Sequence, residues 1–134
     1  MRQTLGAVIL ATLLTACALP ALACSCAHYS SARDQLRAVD VLFIGHAVRT
    51  ERDWFNRNLI YTTFVVEESL KGDVGRRVRL EQNDRTTCAV QTFETGARTI
   101  VLANRDGQRL QIGGCTFPSF TEAEYRAARR PLYQ

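Results

Sequence analysis

The chain has 134 residues, a net charge of +4 and a mixed composition with 22% charged residues. That length bounds it to one ordinary domain, and five cysteines in so short a chain point to an oxidising compartment. Lys71 is the only lysine, and arginines alternate with acids along the chain, which reads as a solvated surface and excludes a nucleic-acid stripe; Arg76, Arg77 and Arg79 form the one tight basic group.

Residues 1–23 read as a secretory signal peptide. Arg2 gives a positive start, Thr4 to Leu19 is almost wholly apolar, and Ala21-Leu22-Ala23 is a small-x-small cleavage site. Pro20 breaks the apolar stretch and no second one follows, so no permanent membrane span is expected. A cut after Ala23 leaves residues 24–134 as the exported domain. The rival reading is a lipoprotein: Leu14-Thr15-Ala16-Cys17 has the form of a lipobox, which makes Cys17 an acylation site and the chain membrane-anchored. Otherwise the domain is periplasmic or extracellular.

Ser31-Ala32-Arg33-Asp34 has the S-x-x-D form of a helix start, and a short helix is expected to about Ala38. Val39 to Val48 is rich in β-branched and aromatic residues and reads as a strand buried on both faces. Thr50 to Asn58 reads as a polar loop containing Trp54 and Phe55. Leu59 to Glu68 reads as a second strand, with Ile60, Phe64 and Val66 on one face and Tyr61, Thr63, Val65 and Glu67 on the other. Lys71-Gly72-Asp73 is a turn. Val78 and Leu80 alternate with Arg77, Arg79 and Glu81 in a half-exposed third strand.

Asn83 to Gly96 is a long connection containing Cys88. Arg98 to Ala103 is a fourth strand, Asp106-Gly107 a hairpin signal, and Arg109 to Ile112 a fifth strand with Leu110 and Ile112 inward. Thr121-Glu122-Ala123-Glu124 is a second capping box, opening a helix that Pro131 stops. The pattern is mainly β. It suits a five-stranded Greek-key barrel of the OB type with short flanking helices, and an open sandwich has the same pattern.

Cys24, Cys26, Cys88 and Cys115 form an even set outside the targeting segment and read as two structural disulfides. A Cys24–Cys26 bond would close a strained ring, and discarding it leaves two pairings. Zinc and redox sites usually show C-x-x-C pairs, which are absent, so no metal or cofactor of the chain's own is expected. His28 sits beside the triplet and His46 in an apolar strand, where a core or barrel-rim position is expected. No Ser/His/Asp, paired-carboxylate or phosphate-loop pattern occurs, so the chain is not read as an enzyme.

Cys24-Ser25-Cys26-Ala27, Val39 to Gly45, Thr62 to Gly72, Thr87-Cys88-Ala89-Val90 and Gly114-Cys115 with the helix that follows resemble the N-terminal domain of the tissue inhibitors of metalloproteinases, within the netrin-like modules. The resemblance implies an OB-like barrel with Cys24 bonded to Cys88 and Cys26 to Cys115. It also implies that the Cys24 amine and carbonyl chelate the zinc of a metalloprotease. Ser25 would enter the specificity pocket, and Cys26, Ala27 and Thr87 to Val90 would form the adjoining contact ridge. The family's third disulfide in this domain and its C-terminal subdomain are missing. The other functional reading is a non-inhibitory module that binds another exported protein and uses the barrel as a scaffold.

Overall fold

A computed structural model describes residues 25–85, 88 and 90–130. The expected signal peptide and lipobox, together with Cys24, Thr87, Ala89 and Pro131, lie outside the described residues. In chain order the elements are α1 (Ala32–Ala38), β1 (Val41–Arg52), β2 (Leu59–Lys71), β3 (Arg77–Asn83), β4 (Arg98–Asp106), β5 (Arg109–Gln111) and α2 (Glu122–Arg129).

The strands close into one mixed sheet in the order β1-β2-β3-β5-β4, with β4 returning to β1. All neighbours are antiparallel except β3 and β5, which pair in parallel at Glu81 and Gln111. The Ile112 N–H donates to the Glu81 carbonyl at 2.9 Å and seals that seam. The β3–β5 closure is a single pair, so Arg77 to Leu80 of β3 pair in the ladder only with β2.

β1 is buried on both faces, as its unbroken apolar run predicts, because two separate cores use its two faces. Val41, Phe43 and Ala47 point into the barrel with Phe64, Leu80 and Val101. Leu42 and Ile44 point outward, under Leu36 of α1 and Tyr125 of α2. The β1–β2 register slips at three places, between Leu42 and Phe43, Ile44 and Gly45, and Ala47 and Arg49. Such bulges bend a strand and raise its twist, which a small barrel requires. At Gly45 a side chain has no room: a Cβ there would lie 2.4 Å from the Val65 carbonyl oxygen.

The elements run longer than the sequence pattern indicates. β1 starts at Val41, because Val39 caps α1 in extended conformation, and continues through Arg52. Thr50 to Arg52, expected in a loop, pair with Thr62 to Ile60 instead. β2 reaches Lys71, three residues beyond the expected end, and its ammonium donates to the last carbonyls of α1, Leu36 at 2.6 Å and Val39 at 2.5 Å. That contact is a cationic C-cap supplied from another element. β4 extends past Ala103 to Asp106 and β5 stops at Gln111. The hairpin between them turns at Gly107-Gln108, with Gly107 at φ 60°, one residue later than Asp106-Gly107.

Both helix starts form where expected. Thr121 and Glu124 make a reciprocal capping box, with Thr121 N donating to Glu124 Oε2 at 2.7 Å and Glu124 N to Thr121 Oγ1 at 3.3 Å. At α1 the Asp34 N–H donates to Ser31 Oγ at 3.2 Å, but the return contact is between side chains: Ser31 Oγ donates to Asp34 Oδ2 at 2.8 Å.

Candidate functional site

Two of the four cysteines singled out by the sequence, Cys26 and Cys115, meet at the turn that follows β5. Cys26 is bonded to Cys115 across 89 positions of sequence, with Cα atoms 5.3 Å apart. Cys115 is half-buried in a turn where Thr116 N and Oγ1 donate to the Gly113 carbonyl at 3.2 and 2.7 Å. Its partner is exposed, as are Ser25, Ala27 and His28 around it, in a segment without helix or strand. The disulfide thus holds an open stretch of chain against a hydrogen-bonded turn.

The long connection reaches the same turn through one amide. Gln91 Nε2 donates to the Thr116 carbonyl at 3.1 Å. The Gln91 backbone is itself held by Gln82 of β3. Gln82 Nε2 donates to the Gln91 carbonyl at 3.0 Å, and Gln91 N donates to Gln82 Oε1 at 2.9 Å. Gln82 is buried, and this pairing satisfies both ends of its amide. Farther along, Phe93 packs edge-on against Phe64 in the barrel core, and Gly96 N donates to the Ala47 carbonyl at 2.8 Å. Cys88 is exposed and disulfide-bonded, and Val90 is half-buried. Segment 25–27 and Gln91 of the long connection are therefore both tied to residues 113–116, one by a covalent bond and one by a side-chain hydrogen bond.

Behind this turn, a second buried amide anchors the chain leaving it. Gln35 of α1 donates through Nε2 to the Phe117 carbonyl at 2.8 Å, and Ser119 N donates back to its Oε1 at 3.2 Å. Tyr125 Oη also donates to Gln35 Oε1, and burial raises the pKa of that phenol. Gln35, Gln82 and Gln91 escaped the sequence reading. Two of them had a legible signal: Gln82 continues the inward alternation of Val78 and Leu80, and Gln35 lies one turn from buried Ala32.

The remaining expected positions fall elsewhere. His46 is half-exposed at the barrel rim, 3.5 Å from Glu67. Arg76, Arg77 and Arg79 are exposed, as a solvated group should be. Arg79 lies 3.8 Å over the Tyr61 ring and donates to Glu51 at 3.1 Å. Glu81, expected on a half-exposed strand, is buried. It accepts from Gln111 Nε2 at 3.1 Å, since β5 pairs directly beside it. Among the described residues no group of histidine, cysteine and acidic side chains is arranged to hold a metal, and no helix is long and apolar enough to cross a membrane.

No family model matches the chain, and no curated protein matches it.

Proposed function

We propose that this chain is an exported netrin-like domain, built on an OB-type barrel, that inhibits a zinc metalloprotease through its N-terminal edge. The strand order β1-β2-β3-β5-β4 with one parallel seam supports the OB assignment. The observation that carries the inhibitor reading is the Cys26–Cys115 bond, which fixes an exposed Ser25-Cys26-Ala27 segment to the same turn that Gln91 of the long connection reaches. The reading includes a cut after Ala23, so that Cys24 becomes the first residue, and a Cys24–Cys88 bond. Thr87, Ala89 and Val90 then complete the ridge beside Ser25.

The chemistry is direct. A catalytic zinc keeps one coordination position open for water. A neutral α-amine and the carbonyl of the same residue can displace that water as a five-membered chelate. The ordinary pKa of an α-amine is about 8, so a useful fraction is neutral near pH 7, and zinc favours the deprotonated form. An edge already held by disulfides loses little conformational freedom on binding, which favours affinity.

The test is to assay the purified exported domain against zinc and non-zinc proteases, with and without one extra N-terminal alanine. The added residue moves the amine out of chelating position and leaves both disulfides intact. Inhibition confined to zinc proteases and lost with the extra alanine is the expected result. Equal inhibition by both forms, or none by either, sinks the chelation reading and leaves a scaffold that binds another exported protein.

A further inference from the structure

The β1–β2 hairpin ends in two adjacent aromatics with no protein around them. Trp54 is 79% exposed and Phe55 94% exposed. The tip beneath them is closely hydrogen-bonded. Asp53 Oδ1 accepts from Phe55 N at 2.9 Å and Asn56 N at 2.7 Å, and Leu59 N donates to the Asn56 carbonyl at 2.9 Å. Arg52 Nη1 donates to the Arg57 carbonyl at 2.6 Å and also bridges to Asp84, while Asp84 N donates to the Asn58 carbonyl at 2.9 Å. A turn braced this way fixes the backbone that carries the two rings, so little backbone ordering is left to oppose binding.

The charge around the tip is unevenly committed. Asp53 Oδ1 accepts from two backbone amides and keeps its charge, while Asp84 is paired with Arg52. Arg57 and Arg85 flank the tip, are exposed, and have no acidic partner among the described residues. The result is an aromatic point in a collar of three arginines (Arg52, Arg57 and Arg85) against two aspartates (Asp53 and Asp84), a net positive charge.

We infer that Trp54 and Phe55 dock this domain on an anionic lipid bilayer by inserting into its interface. Two aromatic side chains can bury about 400 Å² between them, well short of the roughly 800 Å² per partner of a stable protein interface. That area is enough for interfacial partitioning. Tryptophan and phenylalanine suit the headgroup region, and arginines beside them reach the phosphates above. This docking does not rest on the inhibitor reading; it concerns a lipid surface and the β1–β2 tip alone.

Trp54 is the only tryptophan in the chain, so its emission reports the tip alone. The experiment titrates the purified exported chain with vesicles of phosphatidylcholine, with or without about one-third phosphatidylglycerol. Intact mass first establishes that the chain carries no acyl group. The expected result is a blue shift of Trp54 emission and quenching by lipids brominated near the headgroup, stronger on the anionic vesicles and weakened by salt. Phe55→Ala should weaken partitioning by about tenfold. Arg57→Gln and Arg85→Gln should each weaken it by about fivefold on anionic vesicles. All three side chains are exposed, so unchanged thermal midpoints will establish that the variants are folded. Absence of quenching overturns the proposal and leaves a protein pocket as the occupant. Undiminished binding by Phe55→Ala, or equal affinity for neutral and anionic vesicles, also overturns it.

Discussion

At the scale of single residues, the fold depends on positions where one atom more or less decides the outcome. Gly45 is the sharpest. A methyl group there meets the backbone of β2, with Val65 O at 2.4 Å and Val65 C at 3.2 Å, and neither belongs to a side chain that can rotate away. Gly45→Ala should therefore separate β1 from β2 locally and cost about 2–3 kcal/mol. Urea denaturation would detect the shift in midpoint, and a change under about 0.5 kcal/mol would mean the bulge absorbs the methyl. The apolar run around Gly45 was legible as a buried strand. The close approach was not, because it depends on which strand crosses at that point. Buried glutamines follow the same division. The position of Gln82 in an inward row is readable from spacing, whereas its partner Gln91 is fixed only when the connection folds back over β3.

At the scale of elements, α2 is held to the barrel partly by charge. Arg98 of β4 donates to Glu67 of β2 at 2.7 Å and also bridges to Glu122 of α2. Arg126 of α2 donates through Nε and Nη2 to Glu68 of β2, at 3.0 and 2.8 Å. The hydrogen bond from Arg98 holds the Glu67 carboxyl below the usual glutamate range, with His46 adding to the effect. The Thr121 backbone N–H does the same for Glu124 in the capping box. A carboxyl with a depressed folded pKa contributes stability that is present above its unfolded value, about 4.3, and is lost as pH falls through the folded value. The thermal midpoint should therefore fall as pH drops below about 5. Glu67→Gln should lower the midpoint at pH 7 and flatten that acid limb. Thermal scans from neutral to strongly acidic buffer would check it, and an acid limb unchanged in the variant would remove Glu67 from the account. Exposed pairs of this kind are screened by salt, so the difference should shrink at high ionic strength.

Element types and order were legible throughout: both helices and five strands occur where periodicity and capping residues put them. The ends were not. Thr50 to Arg52 carry no apolar face, so hydropathy assigns them to a loop, yet their backbone groups pair with Ile60 to Thr62 beyond the rim of the core. Ladder hydrogen bonds need no apolar side chain, and charged pairs such as Arg49–Glu51–Arg79 cover the extension. Val39 shows the reverse case, an apolar residue at a helix cap that is buried among the helices and not in the ladder.

At the scale of the whole molecule, the backbone ladder and the Cys26–Cys115 bond do different work. The sheet is closed by strand pairing, and both cores are filled by residues distant in kind from the exposed Cys26. The bond spans 89 positions, and a loop of that length restricts the unfolded chain enough to add about 4–5 kcal/mol by loop-closure entropy. Small domains have about 5–15 kcal/mol in total, so its loss should leave a barrel that is marginal but still formed. Cys26→Ser with Cys115→Ser should then lower the thermal midpoint substantially while near-ultraviolet dichroism from the core aromatics persists at low temperature. Residues 25–29 have no helix or strand to hold them, so their amide protection should vanish before that of β1 and β4. If the proposed inhibitory edge works by being held in advance, inhibition of a zinc protease should fall more steeply than the folded fraction. Hydrogen exchange and inhibition measured on the same sample separate the two effects. Global exchange of β1 in the double variant would show that the bond is required for the fold itself. Full inhibition with an unprotected 25–29 segment would show that a fixed edge is not what the activity requires.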